Sequence, residues 1–137
     1  MVGIDTNVLV RQILQDDEEQ AALARALFEG QLDASHPGHL PLVVLCELVW
    51  VLGTAYGYSR QQVVPVLRQV LVTDCLVVER HALAWAALND YAAGNADYAD
   101  CLIARINREE GAEFTFTFDR KAAKGEGFRL LTAENLG

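Results

Sequence analysis

Residues 2–7, Val-Gly-Ile-Asp-Thr-Asn, decide the fold, because a short apolar run ends there at a single aspartate. Residues 2–4 predict a buried strand that ends at Asp5. Near the other end of the chain, residues 113–118 alternate phenylalanine with threonine, which favours a strand, and Asp119 follows it. The carboxyl ends of parallel strands share one edge of an α/β sheet, where ligands bind. Asp5 and Asp119 are therefore expected on the same edge, although either aspartate also fits a helix N-cap.

The chain between and beyond these strands alternates helical and extended patterns. The predicted helices are residues 7–15, a helix capped at Asp16 or Asp17 and ending at Gly30, residues 41–56, residues 60–71 capped by Ser59, residues 82–93 and residues 97–110. Further strands are predicted at residues 76–79 and 128–131, and a Pro-Gly loop at residues 35–39. The apolar stripe of the second helix is expected to consist of Ala22, Leu23, Ala26 and Leu27. This rhythm indicates an α/β fold, a three-layer sandwich with a short parallel sheet flanked by helices, in a single domain over residues 1–137.

The net charge of −8, from 19 acidic and 11 basic residues, argues against a non-specific nucleic-acid binder. Six of the basic residues nevertheless lie in the last 33 positions, namely Arg105, Arg108, Arg120, Lys121, Lys124 and Arg129. An acidic protein can bind a polyanion where metal ions and a basic rim lie at the binding site. The charge balance therefore leaves RNA open as a partner.

No stretch of the sequence reaches the roughly 18 to 20 apolar residues that a membrane span needs. No basic segment followed by an apolar one opens the chain, which argues against a signal peptide. Cys46, Cys75 and Cys101 are widely spaced and form no C-x-x-C pair, so neither a disulfide framework nor a zinc site is indicated. We therefore expect a cytoplasmic protein without a membrane partner, in which each cysteine is a small core residue.

Glu47 is the one carboxylate between residues 33 and 74, and it lies in the apolar run that predicts the helix at residues 41–56. No lysine or arginine lies within ten residues on either side of it. Burying a carboxylate costs several kcal/mol unless a cation or strong donors meet it, so Glu47 indicates a metal ligand. The alternative is a glutamate on a solvent-facing edge of the helix. The aromatic residues expected in the core or at a dimer interface are Trp50, Trp85, Phe114, Phe116 and Phe118.

Asp97 and Asp100 lie three residues apart at the start of the helix at residues 97–110, where like charges repel. Asp97 fits an N-cap, whereas Asp100, one turn inside, is expected to have no capping role. The core stripe of this helix is expected to consist of Ala99, Leu102, Ile103 and Ile106. If Asp5, Glu47, Asp100 and Asp119 lie close together, their negative charges repel one another unless a cation binds between them. Hard divalent ions such as Mg²⁺ or Mn²⁺ prefer oxygen ligands of this kind.

In this order and context, four segments resemble the motifs of PIN domains. They are residues 5–9 (Asp-Thr-Asn-Val-Leu), 47–50 (Glu-Leu-Val-Trp), 97–104 (Asp-Tyr-Ala-Asp-Cys-Leu-Ile-Ala) and 117–120 (Thr-Phe-Asp-Arg). The resemblance runs from residue 1 to about residue 131. In its short length and in the extent of this match, the chain resembles the VapC toxins of bacterial and archaeal toxin–antitoxin pairs. Tyr98 and Cys101 depart from the residues that are frequent at those positions, Phe and Ala.

This resemblance implies divalent-metal-dependent cleavage of RNA, commonly tRNA or rRNA, by a homodimer that a cognate antitoxin protein inhibits. It implies that Asp5, Asp100 and Asp119 bind Mg²⁺ or Mn²⁺ and act in catalysis, with Glu47 bound directly or through a water. The side chains expected to orient these ligands or a water are Thr6, Asn7, Asp97 and Thr117, although Asn7 also fits a helix cap. The candidate cations for an RNA rim are Arg11, Arg120 and Lys121, although a solvated surface charge is the commoner role for each.

Two other functions stay open at this point. A phosphatase with Asp5 as nucleophile needs, in the haloacid-dehalogenase-like pattern, a second aspartate two positions later, where Asn7 stands. A catalytically silent PIN-like module would bind RNA or an antitoxin without using the four acids. The complete set of acids favours the nuclease.

Overall fold

The computed structural model describes residues 1–136, which form two compact units, Met1–His81 and a second unit that begins at Ala82. We call them the N-terminal unit and the C-terminal unit. The strands of the N-terminal unit are β1 (Val2–Gly3), β2 (Gly38–Leu40) and β3 (Leu76–Val78). Its helices are α1 (Thr6–Leu14), α2 (Glu18–Gly30), α3 (Leu42–Ala55) and α4 (Arg60–Leu71). All four helices lie close to their predicted positions.

The three strands of the N-terminal unit form one parallel sheet in the order β1-β2-β3. Val2 lies opposite Gly38, and Gly38 lies opposite Leu76. Because all three strands run the same way, the residues that follow them emerge at one edge. At this edge Glu79, which follows β3, accepts a hydrogen bond from the backbone N–H of Leu42 at 2.8 Å. A carboxylate from the end of β3 thus satisfies a free backbone donor in the first turn of α3.

The predicted Pro-Gly loop over residues 35–39 is confirmed for residues 35–37 and is wrong for Gly38 and His39, with which strand β2 begins. Gly38 is buried, and a Cβ placed on it would lie 2.7 Å from Cγ1 of Ile4. Gly38, which suggested a turn, has to be glycine here because the side chain of Ile4 occupies the space that a Cβ would fill. Sequence pattern does not distinguish these two uses of glycine.

The C-terminal unit is built from two long helices and a two-stranded sheet. Its elements are α5 (His81–Ala93), whose first residue closes the N-terminal unit, α6 (Tyr98–Glu109), β4 (Thr115–Thr117), a 3₁₀ turn (Ala122–Lys124), β5 (Phe128–Leu130) and α7 (Ala133–Leu136). Strands β4 and β5 are parallel, with Thr115 opposite Phe128. Because β1 and β4 pair in different sheets, strand pairing does not form the shared edge expected for Asp5 and Asp119.

The core of the C-terminal unit surrounds Tyr98, whose side chain is fully buried. Its hydroxyl donates a hydrogen bond to the backbone carbonyl of Ala84 at 3.0 Å, and its ring meets the ring of Tyr91 edge to face at 6.0 Å. The buried face of α6 consists of Tyr98, Cys101 and Leu102. Of the predicted stripe of α6 only Leu102 is fully buried, and Ile103 is exposed. The tyrosine takes the central place because its one polar atom finds a partner there.

Two further helix faces differ from the prediction. In α2 the buried residues are Ala21 and Ala24, while Leu23 is 67% exposed. In α3 Leu45 and Leu48 are fully buried, whereas Trp50 is also 67% exposed, so of its two expected places the core is excluded and a dimer interface stays a prediction. The same holds for Phe116 and Phe118, both of which are exposed.

The predicted fold class is confirmed, since the described chain consists of short parallel sheets flanked by helices. Within residues 1–136, no helix combines the length and apolar character that crossing a membrane requires. The cysteine prediction is confirmed for Cys101, which is buried, whereas Cys46 and Cys75 are only half-buried.

Candidate functional site

The first carboxylate lies where β1 passes into α1. Asp5 is the N-cap residue of α1, with an extended backbone conformation, and its Oδ1 accepts a hydrogen bond from the N–H of Thr6 at 2.7 Å. The side chain of Asp5 is exposed. A capping carboxylate of this kind is stabilised by the positive end of the helix dipole. Asp5 therefore both follows strand β1 and caps helix α1, so the two descriptions that the sequence offered for it are both correct.

Glu47 is linked to this position through a threonine. Thr6 is 6% exposed, and its hydroxyl donates a hydrogen bond to Oε1 of Glu47 at 2.8 Å. Thr6 thus carries a backbone N–H bonded to Asp5 and a hydroxyl bonded to Glu47. Glu47 itself is exposed on α3, so the argument that burial obliges it to meet a cation is wrong. Glu47 lies on a solvent-facing side of the helix, which was the alternative prediction, and the Thr6 hydroxyl supplies its hydrogen bond.

The carboxylates of the C-terminal unit gather at the start of α6. Asp100 is partly buried, and its pKa is raised by burial and then by the negative charges of Asp97 and Asp119. The backbone N–H of Asp97 opposes this shift by hydrogen bonding to the Asp100 carboxylate. Asp97 is the N-cap residue of α6 by position, and its own side chain makes no capping hydrogen bond.

Asp100 stands at the third position of α6, one turn inside the helix. The side chain of Asp97, at the N-cap, makes no capping hydrogen bond, and its negative charge acts on Asp100.

Asp119 is held by the turn that follows β4. Its Oδ1 accepts hydrogen bonds from the N–H groups of Lys121 at 2.8 Å and Ala122 at 3.2 Å, which orders the entry to the 3₁₀ turn. Its own N–H donates to Oγ1 of Thr117 at 3.0 Å. Thr117 therefore orients the backbone of Asp119 through its hydroxyl. Oδ2 of Asp119 is the oxygen that these local bonds leave open.

The remaining predicted residues divide into engaged and exposed side chains. The guanidinium of Arg11 is engaged by Gln20 at 2.7 Å and by Asp16 at 3.0 Å. Asn7 lies exposed in the first turn of α1, where Asp5 and not Asn7 is the cap. The side chains of Arg120 and Lys121 are exposed beside Asp119.

With this geometry in view, the sequence matches the PIN domain family over residues 2–127. The chain belongs to the PIN domain family. Among curated proteins, it is similar to a VapC ribonuclease of Aquifex aeolicus (strain VF5), with 25% identity over 128 residues. That alignment covers 93% of this chain and 93% of the relative. The four motif segments on which the resemblance rested all lie inside the matched PIN region.

The donors of this PIN chain suit hard divalent ions, although they do not form a metal site as they stand. Within residues 1–136, no group of three or more histidine, cysteine, aspartate or glutamate side chains is placed to hold an ion. The available donors are carboxylate oxygens, which Mg²⁺ and Mn²⁺ prefer. The pKa of Asp100 is raised first by burial and then by the like charges of Asp97 and Asp119, and a bound cation would oppose both effects. The residues therefore fit the metal by chemistry and charge.

Sequence reasoning missed a polar cluster at the far end of α1. Tyr56, the C-cap residue of α3, donates its hydroxyl proton to Asp16, and Arg11 binds the same carboxylate. The hydrogen bond from Tyr56, followed by the charge of Arg11, lowers the pKa of Asp16, while partial desolvation opposes them. No sequence signal pairs residues 16 and 56, because the contact depends on how α1 packs against α3. Of the two predicted caps of α2, Asp16 and Asp17, it is Asp17 that performs that role.

Proposed function

We propose that this PIN-family chain is a divalent-metal-dependent endoribonuclease, the toxin of a toxin–antitoxin pair, which cleaves tRNA or rRNA in the cytoplasm. The observation that carries the proposal is the gathering of Asp97, Asp100 and Asp119 at the start of α6 within a PIN-family sequence. A carboxylate such as Asp100, whose pKa is raised by burial and by neighbouring negative charges, is typical of a site that binds a cation. The similarity to a VapC ribonuclease along nearly the whole chain supports RNA as the substrate.

We assign the catalytic and metal-binding roles to Asp5, Glu47, Asp100 and Asp119, with Mg²⁺ or Mn²⁺ as the cofactor. When bound, such an ion supplies Lewis-acid activation of water and neutralises charge on the phosphodiester. The PIN match extends across the boundary between the two units, which supports a single nuclease domain over residues 1–137.

The residues around these acids act by positioning them. Thr6 holds the Glu47 carboxylate through the hydrogen bond that its hydroxyl donates. Thr117 and the amides of the following turn fix the orientation of Asp119. We expect Asn7 and the Asp97 carboxylate to bind water near the reacting phosphate. Arg120 and Lys121 are exposed and able to meet phosphates, whereas Arg11 is able to do so only by leaving Asp16 and Gln20.

We further propose two protein partners, a second copy of this chain and a cognate antitoxin. The exposed apolar residues Val43 and Trp50 on α3 support the first, because apolar side chains that adjoin on an exposed surface are typical of protein interfaces. The VapC-like length and motif order support the second.

The decisive experiment incubates purified, antitoxin-free protein with total tRNA and rRNA in Mg²⁺, in Mn²⁺ and in EDTA. We expect discrete cuts that require the divalent ion. Asp5→Asn and Asp100→Asn are expected to abolish them with an unchanged fold, because asparagine has nearly the shape of aspartate and at position 5 can still accept the capping hydrogen bond. Asp74→Asn changes an exposed carboxylate away from these acids and serves as the matched control, which should cleave like the native chain.

Circular dichroism and thermal unfolding of each variant separate loss of chemistry from loss of fold. Cuts that persist in EDTA contradict the metal requirement, and cuts retained by Asp100→Asn remove that residue from catalysis. If the native chain binds RNA tightly but never cleaves it with either metal, the chain is a silent binding module.

A further inference from the structure

A groove of about 380 Å³ lies within the C-terminal unit along one side of α6. Its floor is made of small side chains, among them Cys101, Ala104 and Ala122. Cys101 and Ala122 are buried, so the floor is continuous with the core. The walls come from the chain between α5 and α6 and from the 3₁₀ turn with the residues after it. The small floor residues leave the cleft open for an extended chain.

Of the three basic side chains that line this groove, one is held by acidic residues and two are not, within the described chain. Arg105 donates two hydrogen bonds to the carboxylate of Asp90, at 2.7 Å and 2.8 Å, and the negative charge of Glu126 also acts on it. Both acids of the groove thus face Arg105. Arg108 and Lys124 also line the groove, and neither side chain has an ion pair or hydrogen-bond partner within residues 1–136. The groove therefore presents two unpaired cations.

Arg108 lies on α6, the helix that also carries Asp100, and Lys124 lies in the 3₁₀ turn that follows Asp119. Ala96, which lines the groove, directly precedes Asp97, and Cys101 of the floor directly follows Asp100. Arg108 lies eight residues after Asp100 on α6, a distance of about 12 Å along the helix axis at 1.5 Å per residue. A chain that meets Asp100 and continues along the helix thus reaches Arg108.

We propose that this groove binds the sugar–phosphate backbone of a single-stranded RNA segment next to the scissile position, with Arg108 and Lys124 each contacting a phosphate. The proposal rests on the nuclease function above and extends it to a second part of the substrate. It accounts for RNA binding by a chain of net charge −8, because unpaired cations in a concave site create a local positive potential. Arg105, held by Asp90, forms part of the wall.

The test measures binding of a fluorescein-labelled single-stranded oligouridylate by anisotropy, in Mg²⁺ and at several salt concentrations. The parent is the Asp5→Asn variant, which keeps the probe intact. Added Arg108→Gln or Lys124→Gln is expected to weaken binding and to lower the slope of log affinity against log salt by about 0.7 for each phosphate that the variant no longer neutralises. Arg68→Gln is the matched control, since Arg68 is an exposed arginine in the last turn of α4 as Arg108 is in that of α6. It should change neither quantity.

The same variants in the otherwise native chain are assayed for cleavage, and thermal unfolding confirms that each folds. Parent-like affinity and salt slope in both groove variants overturn the groove proposal while leaving metal-dependent cleavage intact. Absence of cleavage by the native chain overturns the nuclease proposal on its own, whatever the groove variants do to RNA binding. A parent that shows no binding of the oligouridylate overturns the groove proposal as well.

Discussion

At the scale of single residues, Thr6 is the point where two candidate acids of the N-terminal unit meet. It is buried, its N–H bonds to Asp5, and its hydroxyl bonds to Glu47. A threonine in a D-T-N tripeptide carries no such information by itself. Tertiary structure brings α3 close enough for the hydroxyl to reach Glu47, which is 41 residues away along the chain.

Thr6→Val is expected to lower the cleavage rate by about tenfold or more, because Glu47 loses the donor that orients it. Valine keeps the shape of threonine, so the free energy of unfolding should fall by only about 1 kcal/mol. Kinetic assays with RNA and urea denaturation measure the two effects. Thr6→Ser retains the hydroxyl and should restore most of the rate. Equal rates in Thr6→Val and the native chain would assign Thr6 a purely structural part.

At the scale of elements, the Asp16–Tyr56 hydrogen bond joins the segment between α1 and α2 to the end of α3. Because the folded pKa of Asp16 lies below its ordinary value of 3.8, the ionised form stabilises the folded state. This contribution is fully present above the unfolded pKa and is lost as the pH falls through the folded pKa.

We expect Tyr56→Phe to flatten the fall in thermal stability between about pH 5 and about pH 2, because it removes the leading cause of that pKa shift. Thermal unfolding followed over this range measures the effect, and at neutral pH the variant should be less stable than the native chain. Tyr58→Phe, two residues away, is the control and should keep the native pH dependence. A Tyr56→Phe profile parallel to the native one would show that Asp16 is not the titrating group.

Element boundaries were accurately predicted where a local rule sets them. Ser59 was predicted to cap the helix at residues 60–71, and it does so in a full capping box with Gln62. Which face of a helix is buried was predicted less well. The apolar stripe of α2 was misplaced because alanines, and not Leu23, fill the contact with the core. Helical periodicity gives the spacing of a stripe, whereas the neighbouring elements decide where it faces.

At the scale of the whole molecule, the exposed Trp50 bears on assembly. Trp50, Glu47 and Val43 follow the spacing of one helical face on α3, and both apolar members are mostly exposed. Trp50→Ser is expected to convert a native homodimer to monomer, as measured by sedimentation velocity, because it removes a large apolar contact area. Leu23→Ser alters an equally exposed residue on α2 and should leave the assembly unchanged. A native chain that sediments as a monomer would contradict the proposed dimer.

The acids proposed for the site were selected from sequence, because a carboxylate at a strand end or alone in an apolar helix is conspicuous, and their catalytic roles stay a prediction. Their surroundings could not be predicted in this way. Glu47 was selected on an argument from burial, yet it is exposed and bonded to Thr6. Asp97 lies at the N-cap of α6, as its pattern indicated, yet its side chain makes no capping hydrogen bond. Both errors concern partners, and partners depend on packing.

The sequence by itself determined the α/β class, the order of the helices and the PIN-family motifs, since each depends on residues within a few positions of one another. The tertiary structure alone decided that Gly38 lies in a strand and that Thr6 bonds to Glu47. It also decided that Arg108 and Lys124 share a groove. Each of these is a contact between residues distant in the chain, whose energy comes from close approach and exclusion of water. Local periodicity carries no record of such contacts, so they are known only once the chain has folded.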